Sequence, residues 1–222
     1  MDQQNPATLA LSEVCRAVCE CLIAHEEELT CLDQAIGDGD HGFNMTRGSL
    51  AVLETLEGPD PIVANVDTAD IDNMAVLAAD LNRLGVIVVN HVGGAAGALY
   101  GTLIMKLAGV LATNYGFINA LAEGVEAVKH RGHADLGDKT LLDVIIPVTD
   151  YLVREKQAQS KLNFSEIARI AEQGADNTVA MLAKRGRASY LGPRSREHLD
   201  PGARSCALAV VTICDMLRRI RN

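Results

Sequence analysis

The 222-residue chain has no tryptophan and only three phenylalanines and four tyrosines. Stacking platforms for nucleic-acid bases are therefore scarce, and with 20 Lys and Arg against 29 Asp and Glu, a formal net charge of -9, a basic stripe is missing too. Nucleic acid is excluded as a partner. Long hydrophobic runs are also absent. Leu84-Gly85-Val86-Ile87-Val88-Val89 falls far short of the ~20 apolar residues a membrane span needs, so no membrane is expected. Asp2, Glu13 and Glu20 interrupt any secretory pattern near the start, and the expected location is the cytoplasm. The cysteines, Cys15, Cys19, Cys21, Cys31, Cys206 and Cys214, have neither metal-ligand spacing nor the density of a disulfide scaffold. They read as small buried residues in a reducing compartment. No Pro/Ser-rich linker divides the chain, so residues 1–222 read as one domain.

What is there in abundance is concentrated. Leu32-Asp33-Gln34-Ala35-Ile36-Gly37-Asp38-Gly39-Asp40-His41-Gly42-Phe43-Asn44-Met45 gathers carboxylates, glycines and a histidine. Asp38 and Asp40 are two apart, so in an extended segment their side chains leave the same face, and Asp33 can reach the same point. Gly37, Gly39 and Gly42 let the backbone bend close to a ligand. Hard divalent cations take oxygen ligands, and Mg2+ is commonly held by a few carboxylates plus substrate phosphates. Asp33, Asp38 and Asp40 without a Cys-x-x-Cys favour Mg2+ over Zn2+. A bound cation would supply the positive charge that an acidic chain needs to hold phosphate.

Apolar residues recur at three- and four-residue intervals almost throughout, as in Leu9, Leu11, Val14, Val18 and Leu22, or Ile167, Ile170, Ala171, Gly174, Ala175, Thr178 and Leu182. The fold class is all-α. Asn5-Pro6, Asn163 to Glu166 and Asp200-Pro201 are start signals; Gly58-Pro59, Gly85, Gly116, Gly132 and Gly186 lie near the ends of periodic runs. About eight helices follow, near 6–30, 42–57, 68–89, 94–113, 117–131, 139–157, 164–185 and 202–220. Short connections make neighbours antiparallel and imply an up-and-down bundle or closed barrel. Connections after the first, third, fifth and seventh helices then share one rim, and these hold almost all the unusual residues.

The second such connection, Asn90 to Gly101, is rich in glycine and opens a helix, so its free N–H groups can cradle an anion. No Gly-Lys-Ser/Thr follows, and its small residues could equally let two helices approach closely. The third, Arg131 to Thr140, offers Asp138 or Thr140 as a cap and Lys139 as a counter-charge, although by itself it reads first as a loop of solvated charges. The fourth concentrates Lys184, Arg185, Arg187 and Arg194, whose planar guanidinium forks suit phosphate oxygens, and ends in Asp200-Pro201-Gly202.

Together these loops resemble the nucleotide-binding L subunit of dihydroxyacetone kinase, equivalent to the C-terminal domain of single-chain dihydroxyacetone kinases. Gly37-Asp38-Gly39-Asp40-His41-Gly42, Gly93-Gly94, Gly137-Asp138-Lys139-Thr140, Gly186 to Gly192 and Asp200-Pro201-Gly202 stand in that family's order and spacing, and the resemblance covers nearly the whole chain. It implies an eight-helix up-and-down barrel with ADP or ATP and two Mg2+ ions at one rim. By the same resemblance Asp33, Asp38 and Asp40 are the metal ligands. His41, Gly42, Phe43 and Asn44 line the nucleotide, Asn90 and His91 lie near the phosphates, and Gly132 and Leu141 lie near the base. Arg187 is the catalytic cation and a nucleotide contact, and Asp200, Pro201 and Gly202 close the pocket.

The resemblance further implies phosphoryl transfer to dihydroxyacetone or a related short ketose bound by a separate K-type subunit, for which this sequence offers no pocket of its own. The donor is ATP, or a phosphocarrier protein that rephosphorylates a retained ADP. Two positions depart from the pattern: the family carries hydroxyl residues where Asn90-His91 stands, and a serine where Ala96 stands. A lost hydroxyl removes a phosphate hydrogen bond, whereas His91 can supply a stronger one. The ketose stays open between dihydroxyacetone and a relative such as erythrulose. Two rivals remain beside the kinase, a two-metal phosphohydrolase and a non-catalytic nucleotide-binding regulatory module.

Overall fold

The computed structural model describes residues 9–65, 71–113 and 115–221. Its helices are α1 (Leu11–Ala24), α2 (Glu26–Ile36), α3 (His41–Glu57), α4 (Ile71–His91), α5 (Gly94–Leu111), α6 (Phe117–Gly132), α7 (Leu142–Gln157), α8 (Phe164–Asn177) and α9 (Pro201–Arg221). Two 3-10 segments, Thr178–Ala180 and Arg187–Ser195, lie between α8 and α9. Among the described residues extended pairing is limited to an isolated bridge between Ala10 and Asn65. The all-α expectation holds.

Each helix packs on its chain neighbours, and α9 returns to α1 and α2, so the rods close into a ring. One apolar interior runs through it, with Leu11, Val52, Leu77, Leu111, Val125, Val144, Ile167 and Ala207 each contributed by a different rod. A smaller cluster of Leu22, Leu29, Met45, Val92 and Leu208 ties α1, α2, α3 and α9 together. By length and composition α5 alone among the described helices would suffice to cross a membrane. It is seated between α4 and α6, with Leu107, Ala108 and Leu111 buried.

Three helix boundaries differ from the sequence expectation. The first predicted helix, 6–30, is two helices that meet at His25 and run on to Ile36. There the His25 imidazole donates from Nδ1 to the Cys21 carbonyl at 2.7 Å, and the His25 N–H turns to Leu22 O at 3.2 Å, a tightened turn that bends the rod. Taking α1 and α2 as one bent rod restores the count of eight among the described residues. The seventh predicted helix, 164–185, stops at Asn177, because the Thr178 hydroxyl is engaged by Asp200 N–H and Met181 is extended. The sixth, 139–157, begins at Leu142, since Lys139 has a φ of 62°. Gly85 is internal to α4, where it lets Met105 and Gly101 of α5 approach. Asn163 caps α8 as expected, accepting from Ser165 and Glu166 N–H at 3.1 and 3.2 Å. Asn5-Pro6 lies outside the described residues.

Two glycines separate packing from propensity. A Cβ on Gly174 would strike the main chain of α7 at Asp143 and Val144, whereas one on Gly109, exposed in α5, would meet nothing within 4 Å. Gly174→Ala should therefore destabilise by ~1–3 kcal/mol, and Gly109→Ala should stabilise by ~0.5–1 kcal/mol. Denaturant midpoints read both, and a Gly174→Ala chain as stable as wild type would contradict the close α7–α8 contact.

Candidate functional site

The cleft is built where alternate connections meet. Residues from the turn after α2, the turn between α4 and α5, the segment 132–142 and the loop before α9 line one cavity of about 420 Å³. That volume falls within the range of small-molecule sites.

The metal-type loop is organised by Asp33. From the last turn of α2 its Oδ2 accepts the main-chain N–H of Asp40 at 2.9 Å and of His41 at 3.1 Å, so it satisfies N–H groups that open α3. Gly39, with φ 75°, turns the chain between them. Gly42 is where α3 crosses α2: a Cβ there would run into Glu26 O and Thr30. The result brings one carboxylate oxygen each of Asp33, Asp38 and Asp40 within 4.8 Å of one another. An all-oxygen donor set of this kind suits Mg2+. Arg187 Nη2 meets Asp38 Oδ2 at 2.9 Å, joining the fourth loop to the first.

His41 turns from this loop toward α9, where its Nε2 lies 3.0 Å from Ser205 Oγ. Ser205 Oγ is in turn 2.9 Å from the Tyr100 hydroxyl, which also donates to Gly202 O at 3.2 Å. Burial pushes the His41 pKa below its usual value, although the charges of Asp33 and Asp40 oppose this. Asn44 is buried against Gly93, and its Oδ1 accepts from Arg47 at 3.3 Å. Arg47 Nε donates to His91 O at 2.7 Å, and its guanidinium lies over the Phe43 ring at 5.7 Å.

Of the expected site residues, Asp33, Asp38, Asp40, His41, Asn44, Gly132, Leu141, Arg187, Asp200, Pro201 and Gly202 line the cleft together. Phe43, Asn90 and His91 do not: Phe43 is 57% exposed, and Asn90 and His91 are exposed at the end of α4, with His91 Nδ1 bonded to Ile87 O. Gly42 serves the α2–α3 crossing rather than the lining. Residues the sequence reading did not single out also line it, among them Leu99, Tyr100, Val128 and Arg131. The signal for Leu99 and Tyr100 was their place three and four residues after Ala96, one turn along the same face of α5.

Beneath the fourth loop three ionisable groups are buried together. Lys139 is 1% exposed and donates from Nζ to the carbonyls of Thr178 and His198. Asp143 Oδ2 accepts the Thr140 N–H at 2.8 Å, and Asp200 Oδ2 accepts the Ala203 N–H at 2.8 Å as the cap of α9. Burial drives the Asp200 pKa up to about 7 against the pull of that N–H and of Lys139. Burial likewise lowers the Lys139 pKa, while Asp200 and Asp143 raise it.

A raised carboxyl has a definite sign in stability. The folded chain keeps a proton on Asp200 between the ordinary value of 3.8 and about 7, where the unfolded chain releases it. The Asp200 contribution is therefore complete below the lower value and lost as pH rises through about 7. His41 has the opposite sign, so the comparison must be with a variant. Asp200→Asn, which keeps the cap, should flatten the decline with rising pH in denaturant unfolding; the same slope in both chains would refute the assignment.

The chain resembles known proteins over most of its length. The ADP-binding subunit DhaL of the PEP-dependent dihydroxyacetone kinase of Escherichia coli K12 is 38% identical over 186 residues, 81% of this chain and 82% of that protein. The ADP-binding subunit DhaL of PEP-dependent dihydroxyacetone kinase 2 of Listeria innocua is 36% identical over 205 residues, 89% of this chain and 90% of that protein. L-Erythrulose 1-kinase of Mycolicibacterium smegmatis is 31% identical over 216 residues, which is 95% of this chain but 35% of that longer protein. The crystal structure of the dihydroxyacetone kinase from C. freundii in complex with AMP-PNP and Mg2+ superimposes with a TM-score of 0.69 at 21% identity, covering 97% of this chain and 36% of that one, and so shares the fold. Residues 35–215 match the DAK2 domain, and by that match, together with the relatives above, the chain belongs to the DAK2 domain family.

Proposed function

We propose that residues 1–222 form an L-type, ADP- or ATP-binding and Mg2+-binding subunit of a dihydroxyacetone-type kinase. The phosphoryl group goes to dihydroxyacetone or a related short ketose held by a separate K-type subunit. The observation that carries the reading is the meeting of Asp33, Asp38 and Asp40 with Arg187 in one cleft formed by four connections. Relatives named as ADP-binding subunits, each matched over four fifths or more of its length, support it. "PEP-dependent" in those names favours a donor route in which a phosphocarrier protein rephosphorylates retained ADP. The unpaired cysteines fit the cytoplasm, where thiols stay reduced.

Bound Mg2+, as two ions held by Asp33, Asp38 and Asp40, would supply positive charge to the phosphate oxygens. The chain's own groups do the rest. The turn into α5 at Gly93-Gly94 presents main-chain N–H groups to an anion, and α9 directs its N-terminus at Asp200-Pro201-Gly202 toward the same cleft. Leu99, Val128, Leu141 and Leu142 form an apolar end that suits a base. Arg187 is 71% exposed and pairs with Asp38, an ion pair of small strength that a phosphate can displace. Released, its fork donates to oxygens of the transferred group and steadies their charge.

Two outcomes are expected. ADP should bind in calorimetry with Mg2+ and lose most of its affinity with chelator or in Asp38→Asn; at ~100 times its dissociation constant it should add roughly 2.7 kcal/mol of stability. Equal affinity with and without metal would remove the carboxylate–metal site. In a coupled assay the chain alone should not phosphorylate dihydroxyacetone, whereas addition of a K-type subunit and a nucleotide-charging system should give product. Arg187→Ala should then lower transfer far more than Arg185→Ala, because Arg185 is directed to Asp138 at 3.6 Å. Turnover by the isolated chain that no partner improves would replace the subunit reading with a self-contained kinase. Release of phosphate from small esters would favour a hydrolase, and nucleotide binding without transfer beside any K-type subunit would favour a regulatory module.

A further inference from the structure

The segment between α8 and α9 leaves and returns through a narrow neck. Glu197 N–H donates to Val179 O at 2.8 Å, and Asp200 N–H donates to Thr178 Oγ1 at 3.0 Å. Across that neck lies the ammonium of Lys139, which comes from a different connection and donates to the carbonyls of Thr178 and His198, one on each side. Lys139 is the bulkiest of the fully buried side chains among the described residues. Burying an ammonium costs several kcal/mol unless its hydrogens are used. Here two of the three are used on main-chain carbonyls 20 residues apart, while Asp143 and Asp200 act on the charge through space.

The loop so closed has an ordered interior. Ser195 Oγ accepts Ala183 N–H at 3.0 Å and donates to Gly192 O at 2.8 Å, and the 3-10 segment Arg187–Ser195 bends at Gly192. Residue 138, next to Lys139, fixes the arm that leads to Arg187: Asp138 O accepts Lys184 N–H at 3.2 Å, and its Oδ1 accepts Lys184 Nζ at 2.8 Å. The Asp138-Lys139 dipeptide thus grips the loop at its base and along the arm, and Arg187 reaches Asp38 from the far side.

We propose that Lys139 is a positioning residue: by drawing the Thr178 and His198 carbonyls together it closes the 179–197 loop and sets where Arg187 stands relative to the phosphoryl group. This rests on the kinase reading of the cleft. Lys139 belongs to the inner wall of the cleft, but at 1% exposure and with its ammonium bonded to the Thr178 and His198 carbonyls it acts through Arg187 and not by touching the nucleotide.

The test is a double-mutant cycle in the full chain with a K-type subunit, read by transfer rate, ADP–Mg2+ affinity and hydrogen exchange. Lys139→Met should leave ADP–Mg2+ affinity nearly unchanged while lowering transfer by about tenfold to ~10²-fold, the scale of a 1 Å misplacement. It should cost nothing further in an Arg187→Ala background, and Lys139→Arg, whose guanidinium can donate to the same carbonyls, should recover part of the loss. Exchange should quicken in 179–197 and not in the helices. Losses that multiply with Arg187→Ala, or weaker nucleotide affinity at unchanged turnover, would overturn the proposal. Should Lys139→Met fail to fold, Thr178→Val removes the hydroxyl that receives Asp200 N–H and loosens the same neck. It should show the same non-additivity, and multiplying losses there would count equally against it. If the wild-type chain transfers nothing with any K-type subunit, the kinase reading fails, while unchanged exchange in 179–197 of Lys139→Met would separately refute the closure.

Discussion

Closure of the helical ring by α9 is the constraint on which the site depends. Without it the first and last rods are ends of an open bundle, and the loop after α2 has nothing opposite it. With it, groups some 164 and 176 positions apart are joined: His41 reaches Ser205, and Arg204 reaches Glu28 at 2.6 Å. These two bonds would contribute little by themselves. Their importance lies in orientation, since they set α9 against α2 and α3 so that its capped N-terminus enters the cleft. The apolar contacts of Leu208 with Leu22, Leu29 and Met45 supply the larger stabilisation beneath them.

Charge at the rim is arranged in two tiers. Near the cleft mouth Arg187 is largely solvated and Asp38 partly so, and they satisfy each other in the free chain, so their pairing is easily exchanged for a ligand. Deeper down, Lys139, Asp143 and Asp200 are withdrawn from water and committed to main-chain partners. The outer tier can change partners because water screens its loss. The inner tier cannot without leaving a buried group bare, so it behaves as framework. An acidic chain thereby keeps a cationic arm in place without a broad basic surface.

Much of this was legible in the sequence, for reasons that differ by residue. Helix identity follows from apolar spacing, and the Asp33, Asp38, Asp40 group is legible because all three lie within one short segment whose glycines demand a turn. The bend at His25 was not, since Leu22 and Leu29 keep the same helical phase across it and no glycine or proline marks it. The end of α8 was misread because Thr178 and Leu182 continue its spacing; what stops the helix is a hydrogen bond from Asp200, which no local pattern contains. Tyr100, Ser205 and Lys139 acquire their roles only from contacts between elements distant in the chain. Phe43, Asn90 and His91 show the converse: near the site in sequence, they are exposed and do not line the cleft, and Arg47 instead links Phe43, Asn44 and the His91 carbonyl to one another.

The turn between α4 and α5 is shaped by main chain and by tight packing. A Cβ at Gly93 would collide with the Asn44 side chain, and one at Gly97 with the Val92 carbonyl. The N–H groups that open α5 there belong to the main chain, and every residue except proline possesses them. Side chains beside the turn, such as that of Ala96, can therefore vary without changing its outline. A single added methyl at either glycine would be far less tolerable than the loss of a whole hydroxyl beside it. Lineages of this fold should therefore diverge in what decorates the cradle long before they diverge in its outline.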